Sequence, residues 1–485
     1  MFTTYTYQDW LLAQTDAERL ELIEKIIMAY KSSEEFKTAL VAYDYFNAKN
    51  HEVGRKVLLQ PRVFTQTDEN GEKKRIHAQQ EIVGNRVFSN FFFRFVVQQN
   101  QYLLANGVTL KDTATKERLG LGFDKTLEQI GEKALVCGVC WGYWNLDHLE
   151  IIPAVSDAQS GFVALLDERT ATPMLGIRFW QLDAKRPMHV QLFDDSGIME
   201  YVKTDDGLKT LKDAPEAYAK TIVRDAAGIV SVEGMQSPGG ALPIVPFYAN
   251  NDGKSELTDA IKSKIDLYDR IFSDFGDNLD KANDVYWVLN NFGGNMEDVA
   301  LMLEQIHRLR AVVNQSDGTG AGSTAEAKAF EVPYQARQAA LALLSKNLYQ
   351  DYMALSMEEL TGGSLTNVAI EAAMTNLNLK ADRYEWQAFS FVQGILKLAG
   401  IETEEISFKR QSFVNKSEII QDIQLMREDI DDETALKLNP YLMQEEAERI
   451  LANKDAKALT GFSRAKAANE AREGGGEGGQ GSASI

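Results

Sequence analysis

Two cysteines separated by two residues, Cys137 and Cys140, are the residues whose type and spacing come nearest to a reactive site. A Cys-x-x-Cys pair acts as a redox dithiol when one thiol is exposed and has a low pKa at a helix N-terminus. Here the pair follows the apolar residues Ala-Leu-Val and leads into a predicted strand, and no second cysteine pair completes a zinc site. The pattern therefore favours structural burial, and a cytosolic redox enzyme that uses this pair remains the alternative.

The other motifs that could hold a cofactor or a catalytic group are incomplete. Gly318, Gly320 and Gly322 lie in the run DGTGAGST, which superficially resembles a phosphate loop. A dinucleotide site needs a strand before the glycines and a helix after them, and a P-loop needs Gly-Lys-Ser/Thr; neither pattern is present. The histidines show no His-Glu-x-x-His or other ligand spacing. The sequence therefore predicts no enzyme, no cofactor and no metal site.

The composition excludes several classes of protein. The 485 residues carry 51 basic and 71 acidic side chains, which gives a formal net charge of −20 at pH 7. Tight nucleic-acid binders usually present a basic face to phosphates, so this balance argues against that class. Two cysteines cannot form a disulfide framework, the first residues show no secretory signal pattern, and no apolar run is long enough to cross a bilayer. We therefore predict an intracellular protein of several domains without membrane association.

The first half of the chain is predicted to mix helices and strands. Residues 16–30 have apolar residues at helical spacing, with Asp16 as the capping residue, and an aromatic-rich helix is predicted over 85–104. From about Trp141 to Val232 the pattern changes to short β-like runs separated by Asp, Gly, Ser and Pro. Half-buried antiparallel strands fit these runs. The predicted fold class is therefore α+β, mainly helical over the whole chain.

The second half is predicted to consist mainly of long helices. An apolar stripe at steps of three or four marks a helix over 254–284: Leu257, Ile261, Ile265, Tyr268, Phe272, Phe275 and Leu279. At 1.5 Å per residue such a helix is about 46 Å long. Further helices are predicted over 334–355 and 371–399, with a polar, glycine-containing break at 356–370. The apolar stripe must pack against other apolar side chains. The pattern leaves open whether these come from a helical bundle within one chain or from neighbouring subunits of a ring.

Three blocks of the sequence match motifs that occur together in one protein family. They are NRVFSNFFFRFVVQQNQYLLANGVTL (85–110), LPIVPFYANNDGKSELTDAIKSKIDLYDRIFSDFGDNLD (242–280) and the segment from FKRQSFVNKSEIIQDIQ to NPYLMQEEAERI (408–450). With them the chain resembles the portal (head-to-tail connector) proteins of tailed double-stranded DNA bacteriophages, in the siphophage branch. The second block is the most specific, because it is similar to the family's Val-Pro-Ile-Ile-Pro-Phe-x-Asn-Asn pattern. The first departs from the family pattern at Gln98–Gln99 and Asn106–Gly107.

The resemblance implies a non-enzymatic ring of about twelve subunits at one capsid vertex, through which double-stranded DNA is packaged and ejected. It implies the following regions: a wing over 1–253, stem helices over 254–284 and 333–355, a clip over 285–332, a tunnel loop over 356–370, a long wing helix and strand over 371–410, and a crown over 411–460. The glycine-rich composition of 461–485 predicts a disordered tail.

The resemblance also implies partners and a location. The expected partners are other copies of the chain, DNA in transit, the terminase large subunit, head-completion or adaptor proteins, and the major capsid and scaffold proteins. The expected location is the virion, with the host cytoplasm during assembly. Another virion ring, or a scaffold protein without DNA passage, stays open as an alternative.

The residues expected to face DNA lie in the tunnel loop that the resemblance implies: Thr361, Gly362, Gly363, Ser364, Thr366 and Asn367. The loop contains Glu358 and Glu359 but no Lys or Arg, so its contacts with the DNA backbone would be weak. Its two adjacent glycines would let it change shape. Twelve chains at −20 each would carry about −240, which repels rather than retains phosphate.

Overall fold

The computed structural model of the chain describes residues 3–50, 57–67, 73–111, 113–145, 148–224, 230–235, 242–282, 285–290, 324–329, 334–356, 366–402, 405–411, 416–426, 430–439 and 449–451. Helices lie at Tyr7–Leu12 (α1), Asp16–Ser32 (α2), Glu34–Phe46 (α3), Phe91–Leu104 (α4), Thr113–Glu117 (α5), Phe123–Cys137 (α6), Asp259–Ala282 (α7), Tyr334–Tyr352 (α8), Asn367–Leu398 (α9), Lys416–Leu425 (α10) and Asp432–Lys437 (α11). Strands lie at Val57–Thr67 (β1), Lys73–Val83 (β2), Val108–Leu110 (β3), Val139–Asn145 (β4), His148–Pro153 (β5), Val155–Asp157 (β6), Ser160–Leu166 (β7), Pro173–Trp180 (β8), His189–Asp194 (β9), Gly197–Thr204 (β10), Gly207–Thr210 (β11), Ala219–Arg224 (β12), Val230–Met235 (β13), Ile244–Tyr248 (β14), Val285–Asn290 (β15), Thr324–Ala329 (β16) and Ile406–Phe408 (β17).

The β-like runs predicted from Trp141 onward form antiparallel sheets. One sheet has the strand order β11-β10-β9-β8-β7-β6 and another the order β14-β4-β5. Their side chains share an aromatic core, in which the Trp141 ring of β4 lies 5.2 Å from the Phe162 ring of β7. Tyr143 of β4 lies 5.9 Å from Phe193 of β9, again between ring centroids. The prediction of a mixed α+β fold is confirmed.

Helix α2 extends over the range predicted for it, but its capping residue is Thr15 rather than Asp16. Thr15 Oγ1 accepts a hydrogen bond from the Glu18 backbone N–H (3.3 Å), and the Glu18 carboxylate accepts one from the Thr15 N–H (3.0 Å). This reciprocal pair is a capping box, which satisfies two amides at the start of the helix. Asp16 is already the first helical residue, one position too late to act as the cap.

The aromatic-rich helix predicted over 85–104 begins only at Phe91. Residues 84–90 form no helix or strand and connect the end of β2 to the start of α4. The prediction of a helix from residue 85 was wrong because backbone amides in 85–89 donate hydrogen bonds to α7 instead of to a helical turn, as described below.

A sharp turn joins α6 to β4 between the two cysteines. Gly138 ends α6 with a φ of 92°, a backbone conformation that glycine adopts without strain, and its N–H bonds to the Ala134 carbonyl at 2.7 Å. A Cβ at this position would lie 2.5 Å from the carbonyl oxygen of Gly253. The Cys-Gly-Val-Cys motif is therefore a tight helix-to-strand turn that lies against the chain leading into α7.

Helix α7 begins at Asp259, five residues after the predicted start at 254. Thr258 precedes the helix, and its Oγ1 accepts a hydrogen bond from the Ile261 N–H at 3.4 Å. At 1.5 Å per residue the 24 residues of α7 are about 36 Å long, shorter than predicted. Strands β15 and β16 follow α7 as an antiparallel pair that leads to α8, and α7 packs against α8.

Helices α8 and α9 also differ from the predicted bounds. Helix α8 ends at Tyr352, because Met353 has a φ of 62° and turns the chain out of the helix. Helix α9 begins at Asn367 rather than at 371, so residues 367–370 of the predicted tunnel loop are helical. The remainder of the predicted clip and the predicted disordered tail lie outside the described residues.

The chain divides into two compact units. The first comprises residues 1–354 and 376–411, and the second comprises 355–375 and 412–485. In the second unit the Glu418 carboxylate of α10 accepts a hydrogen bond from the Asn367 N–H at 2.5 Å. Asp431 caps α11 by accepting a hydrogen bond from the Thr434 N–H at 3.0 Å. Among the helices of the described residues, none combines the length and the apolar character that crossing a membrane requires.

Candidate functional site, the helix pair and its root

We call helices α7 and α8 the helix pair. Six of the seven residues of the predicted apolar stripe lie on α7, whereas Leu257, predicted as its first helical member, lies two residues before the helix begins. The two halves of the stripe differ in burial. Leu257, Ile261 and Ile265 are buried, and Ile265 is only 1% exposed. Towards the C-terminus of α7, Phe272 is 38% exposed and Leu279 is 48% exposed. One continuous sequence pattern therefore has a near half that is buried within the chain and a far half that is not.

The two remaining members of the stripe are half-buried and contact aromatic rings of other helices. Tyr268 lies edge-on to Phe91 of α4, with ring centroids 5.0 Å apart. Phe275 lies 5.8 Å from Tyr334, the first residue of α8. These contacts hold α7 between α4 and α8.

Helix α8 is more exposed than α7. Leu348 and Tyr352, close to its C-terminus, are buried, whereas Tyr334 and Leu343 are more than half exposed. Both helices are thus buried at the same end of the pair, because α7 starts where α8 ends. The far end of the pair presents apolar side chains that no part of the described chain covers fully.

A second face of α7 carries buried polar side chains, which we call the polar ladder: Asp269, Ser273 and Asp277. Residues four apart lie on one helix face, so the three side chains form a row. Backbone N–H groups of alternate residues donate to this row, Ser89 to Asp269 (2.9 Å), Val87 to Ser273 (3.0 Å) and Asn85 to Asp277 (2.6 Å). We call residues 85–90 the strap, because it is tied along α7 at three points.

The strap lies close to α7 at its start and is reinforced at its end. A Cβ on Gly276 would lie 3.3 Å from Asn85 Nδ2, so a larger residue there would press on the strap. At the other end, Asn50 Nδ2 donates to the Asp269 carboxylate and to the Ser89 carbonyl oxygen. Burial raises the pKa of Asp269, although hydrogen bonds from Ser89 and Asn50 act in the opposite direction.

Where α8 ends, a buried lysine of α9 joins α8 to the chain segment that leads into α7. Lys380 Nζ lies 2.9 Å from Glu256 Oε2 and donates to the Tyr352 carbonyl oxygen at 2.9 Å. The same ammonium lies 3.2 Å from the centroid of the Tyr352 ring. We call Glu256, Tyr352 and Lys380 the root junction. Burial lowers the pKa of Lys380, and the Glu256 carboxylate opposes that shift.

Buried hydrogen bonds surround the root junction and involve α4. The Tyr352 hydroxyl donates to Gln99 Oε1 at 2.9 Å, and the Tyr384 hydroxyl of α9 donates to Asn100 Oδ1 at 2.9 Å. The Phe95 ring stacks on the Tyr352 ring with centroids 4.6 Å apart. Gln99 occupies the position of the Gln in the family's Asp-Gln pair, whereas the departure in that pair is Gln98.

The chain that leads into α7 is held at two further points near the root junction. Asn250 Nδ2 donates to Glu256 Oε1 at 3.0 Å, so both carboxylate oxygens of Glu256 have partners. Gln387 Nε2, seven residues after Lys380 on α9, donates to Asn251 Oδ1 at 2.6 Å. The Asn-Asn pair of the most specific sequence block thus fixes the loop before α7 to itself and to α9.

A known protein family matches the part of the chain that contains these contacts. The family described as "Phage portal protein, SPP1 Gp6-like" matches residues 27–458, which is most of the chain and includes the strap, the polar ladder and the root junction. The chain belongs to this family. The resemblance inferred from the sequence is therefore confirmed.

Two individual portal proteins support the same assignment. The portal protein of Clostridium phage phiCD119 is 24% identical over 378 residues, which cover 76% of this chain and 79% of that protein. The portal protein of Bacillus phage SPP1 is 26% identical over 394 residues, which cover 75% of each chain.

The portal family is structural and non-enzymatic, and the cysteine pair of this chain is consistent with that. Cys137 and Cys140 are buried, and their Sγ atoms lie 3.8 Å from the carbonyl oxygens of Val155 and Ile152. Burial raises the pKa of Cys137 to about 12 and raises that of Cys140 as well. Because the thiolate is the reactive form, such thiols are poor nucleophiles. The prediction of a structural pair is confirmed.

Two histidines, His148 and His189, have partners other than metal ions. His148 Nε2 lies 3.1 Å from Glu150 Oε1, and the His189 ring stacks on Trp180 with centroids 5.5 Å apart. Within the described ranges, no group of three His, Cys, Asp or Glu side chains is arranged to hold a metal ion.

Two of the six residues predicted to face DNA lie in the described part of the chain. Thr366 Oγ1 accepts a hydrogen bond from the Ala369 N–H at 3.3 Å, and Asn367 is the first residue of α9. Both stand at a helix N-terminus rather than in an irregular loop. Thr361, Gly362, Gly363 and Ser364 lie outside the described residues, and contact of any of the six with DNA stays a prediction.

The sequence analysis did not single out the polar ladder, Glu256 or Lys380. A signal for the ladder was present, because Asp269, Ser273 and Asp277 recur at intervals of four on a helix that was correctly predicted. Glu256 and Lys380 carry no such signal, since their partners are far away in the sequence.

Proposed function

We propose that this protein is the portal subunit of a tailed phage, and that about twelve copies form a ring at one capsid vertex through which double-stranded DNA is packaged and ejected. The observation that carries the proposal is the uneven burial of the helix pair. Phe272 and Leu279 remain exposed in the C-terminal half of α7 and Leu343 is exposed halfway along α8, whereas the near end is buried within the chain. Clustered exposed apolar side chains of this kind mark protein–protein contacts.

In the proposed ring the far ends of neighbouring helix pairs pack side by side. Each contact would be heterologous, with different surfaces of two identical subunits, and rotation would close the ring. The polar ladder supports this arrangement, because the strap occupies one face of α7 and leaves the apolar edge for a neighbour.

The regions that the resemblance implies are carried over with the element bounds of the structure. The wing would contain residues 1–253, α9 and β17, and the stem would be α7 and α8. The β15–β16 pair would start and end the clip, residues 356–366 would form the tunnel loop, and α10 and α11 would belong to the crown.

The charge supports a conduit rather than a binding protein. A net charge of −20 per chain would repel the DNA phosphates from the ring as a whole, so the duplex would pass without being retained. The proposed partners are the terminase large subunit, head-completion or adaptor proteins, and capsid and scaffold proteins.

The ring is tested by light scattering and negative-stain electron microscopy of the purified chain. An annular particle of 12 × 54.2 kDa, about 650 kDa, is expected. The double variant Phe272→Ser, Leu279→Ser should dissociate it. The matched control Leu182→Ser, Leu211→Ser removes two exposed leucines outside the helix pair and should leave the ring intact. A wild-type chain that stays monomeric under every assembly condition would contradict the ring.

The conduit is tested with added positive charge in the tunnel loop. Thr361→Lys with Ser364→Lys should leave rings intact but lower the amount of nuclease-protected DNA in assembled particles, because each ammonium would hold passing phosphates. Ala158→Lys, in the exposed turn between β6 and β7, is the control. If the loop variant packages normally, a virion ring without DNA passage becomes the better description.

A further inference from the structure

The root junction lies where the chain leaves the first compact unit and where it returns. The chain crosses out of that unit after Ala354 and back into it at Asn376. Tyr352 is two residues before the exit, and Lys380 is four residues after the return. The 2.9 Å hydrogen bond from Lys380 Nζ to the Tyr352 carbonyl oxygen therefore joins both crossing points directly.

The ammonium of Lys380 is fully used at this point. A lysine has three N–H donors, and the structure supplies three acceptors: Glu256 Oε2, the Tyr352 carbonyl oxygen and the Tyr352 ring. The side chain of Lys380 is 13% exposed, and burying a lysine is costly unless it is paired and hydrogen-bonded. Its three contacts together offset the cost of burying the charge.

The junction also reaches the start of α7, because Glu256 lies three residues before Asp259. The Glu256 backbone N–H bonds to the Leu135 carbonyl oxygen at 3.0 Å, so this residue cannot shift without disturbing α6. One ammonium thus fixes the end of α8, the start of α7 and the first unit's part of α9 relative to one another.

We propose that Lys380 is a positioning residue that clasps the two ends of the chain segment 353–379 and ties them to the start of α7. This inference rests on the proposed function, in which part of that segment faces DNA in the channel. With its ends clasped, the segment is tethered at one place. It is linked to α8 through the backbone and the Tyr352 carbonyl contact, and to the chain leading into α7 through the Lys380–Glu256 ion pair.

The alternative is that the junction only stabilises the fold, and a double variant separates the two. Lys380→Met alone leaves the Glu256 carboxylate buried and unpaired, which destabilises the chain whatever the role of the clasp. Lys380→Met with Glu256→Gln removes both charges, and replacing a buried ion pair by neutral groups is often close to neutral for stability. The double variant should therefore form rings with a near-normal melting temperature.

We expect the double variant to package at least tenfold less nuclease-protected DNA than the wild type. The matched control is Lys264→Met with Asp351→Asn, which removes a partly exposed ion pair between α7 and α8. The control should package normally. Normal packaging by the root double variant would overturn the proposal and leave the junction a structural feature.

A charge swap tests the carbonyl contact itself. Lys380→Glu with Glu256→Lys keeps an ion pair but presents a carboxylate to the Tyr352 carbonyl oxygen, which repels it. We expect packaging to remain low in the swap. Recovery of packaging would show that the ion pair alone suffices and would overturn the clasp.

Hydrogen exchange on the purified full-length chain separates this inference from the proposed function. Amides of 353–356 and 376–379 should exchange faster in the root double variant than in the control variant, whether or not rings form. A wild-type chain that forms neither rings nor DNA-filled particles would overturn the proposed function. Equal exchange in the two variants would overturn the clasp alone.

Discussion

The two ends of the helix pair are built from similar residues but complete their contacts differently. At the root, Ile265 and Leu348 are buried and Lys380 has a partner for each of its donors. At the far end, Phe272 and Leu279 belong to the same apolar stripe and remain exposed. Folding of the single chain thus buries the apolar side chains at the root and leaves Phe272 and Leu279 exposed, where we propose that a neighbouring subunit packs.

This difference separates the residues that stabilise the chain from those that we propose for assembly. The strap strengthens the separation, because it occupies a polar face of α7 and fixes the helix about its own axis. The exposed edge is therefore presented in one orientation. Four substitutions, in order of decreasing expected effect, test whether the two ends differ as described.

Ile265→Ala should be the most destabilising of the four. Ile265 is 1% exposed, and truncating a buried isoleucine to alanine costs about 2–5 kcal/mol in the free energy of unfolding. Leu279→Ala at the far end of the same stripe should change the stability of the dissociated chain by at most about 0.5 kcal/mol. Urea unfolding of both variants below the assembly concentration measures the difference. Equal losses of unfolding free energy in the two variants would show that both halves of the apolar stripe contribute equally to the stability of the single chain.

Ser273→Ala should cost about 1 kcal/mol, because the Val87 N–H loses its acceptor in a partly buried contact. The strap should also exchange its amide hydrogens faster. Ser263→Ala is the control, since Ser263 is on an exposed face of α7 and bonds only within the helix. Unchanged exchange at residues 85–89 in Ser273→Ala would mean that the ladder does not hold the strap.

Asp269→Asn should alter the pH dependence of stability. Burial raises the pKa of Asp269, so the native chain binds a proton there more tightly than the unfolded chain. The contribution of this group is complete below its ordinary pKa of about 3.9 and is lost as the pH rises through the raised value. The stability of the wild type relative to Asp269→Asn should therefore fall across that interval, as measured by urea midpoints at successive pH values. Ser273→Ala removes no titratable group, so its curve of stability against pH should be parallel to that of the wild type. A parallel curve for Asp269→Asn would contradict a raised pKa for Asp269.

Met353→Gly should have the smallest effect, a gain of less than about 1 kcal/mol. Met353 ends α8 with a φ of 62°, which a glycine adopts without the steric cost of a side chain. Thermal unfolding of the dissociated chain measures the gain. A loss of stability would mean that the packing of the Met353 side chain outweighs its backbone strain.

The sequence was sufficient to predict the elements that repeat a local pattern. The apolar stripe of α7 and the alternating runs from Trp141 onward depend on neighbours in the sequence, so the helix and the antiparallel strands were found. The same periodicity could not say which half of the stripe is buried, because Ile265 and Leu279 fit it equally well. Burial depends on what the rest of the chain places beside them.

The strap shows a second limit. Its residues Val87 and Phe88 continue the apolar pattern of α4, so a helix from residue 85 was the natural prediction. The hydrogen bonds that keep the segment out of the helix come from α7, 180 or more residues away in the sequence. Glu256 and Lys380 escaped notice for the same reason, since each looks like an ordinary charged residue until the fold brings them together.

In the contact between the strap and α7, the two segments contribute different kinds of hydrogen-bonding group. Helix α7 supplies side-chain oxygens, and each has a specific position and chemistry. The strap supplies main-chain N–H groups, which every amino acid except proline carries. We therefore expect these three backbone hydrogen bonds to tolerate a change of side chain at residues 85, 87 and 89 better than a change at Asp269, Ser273 or Asp277, with proline excluded. A contact of this kind lets one segment of the protein diverge in sequence while the geometry that it supports is inherited unchanged.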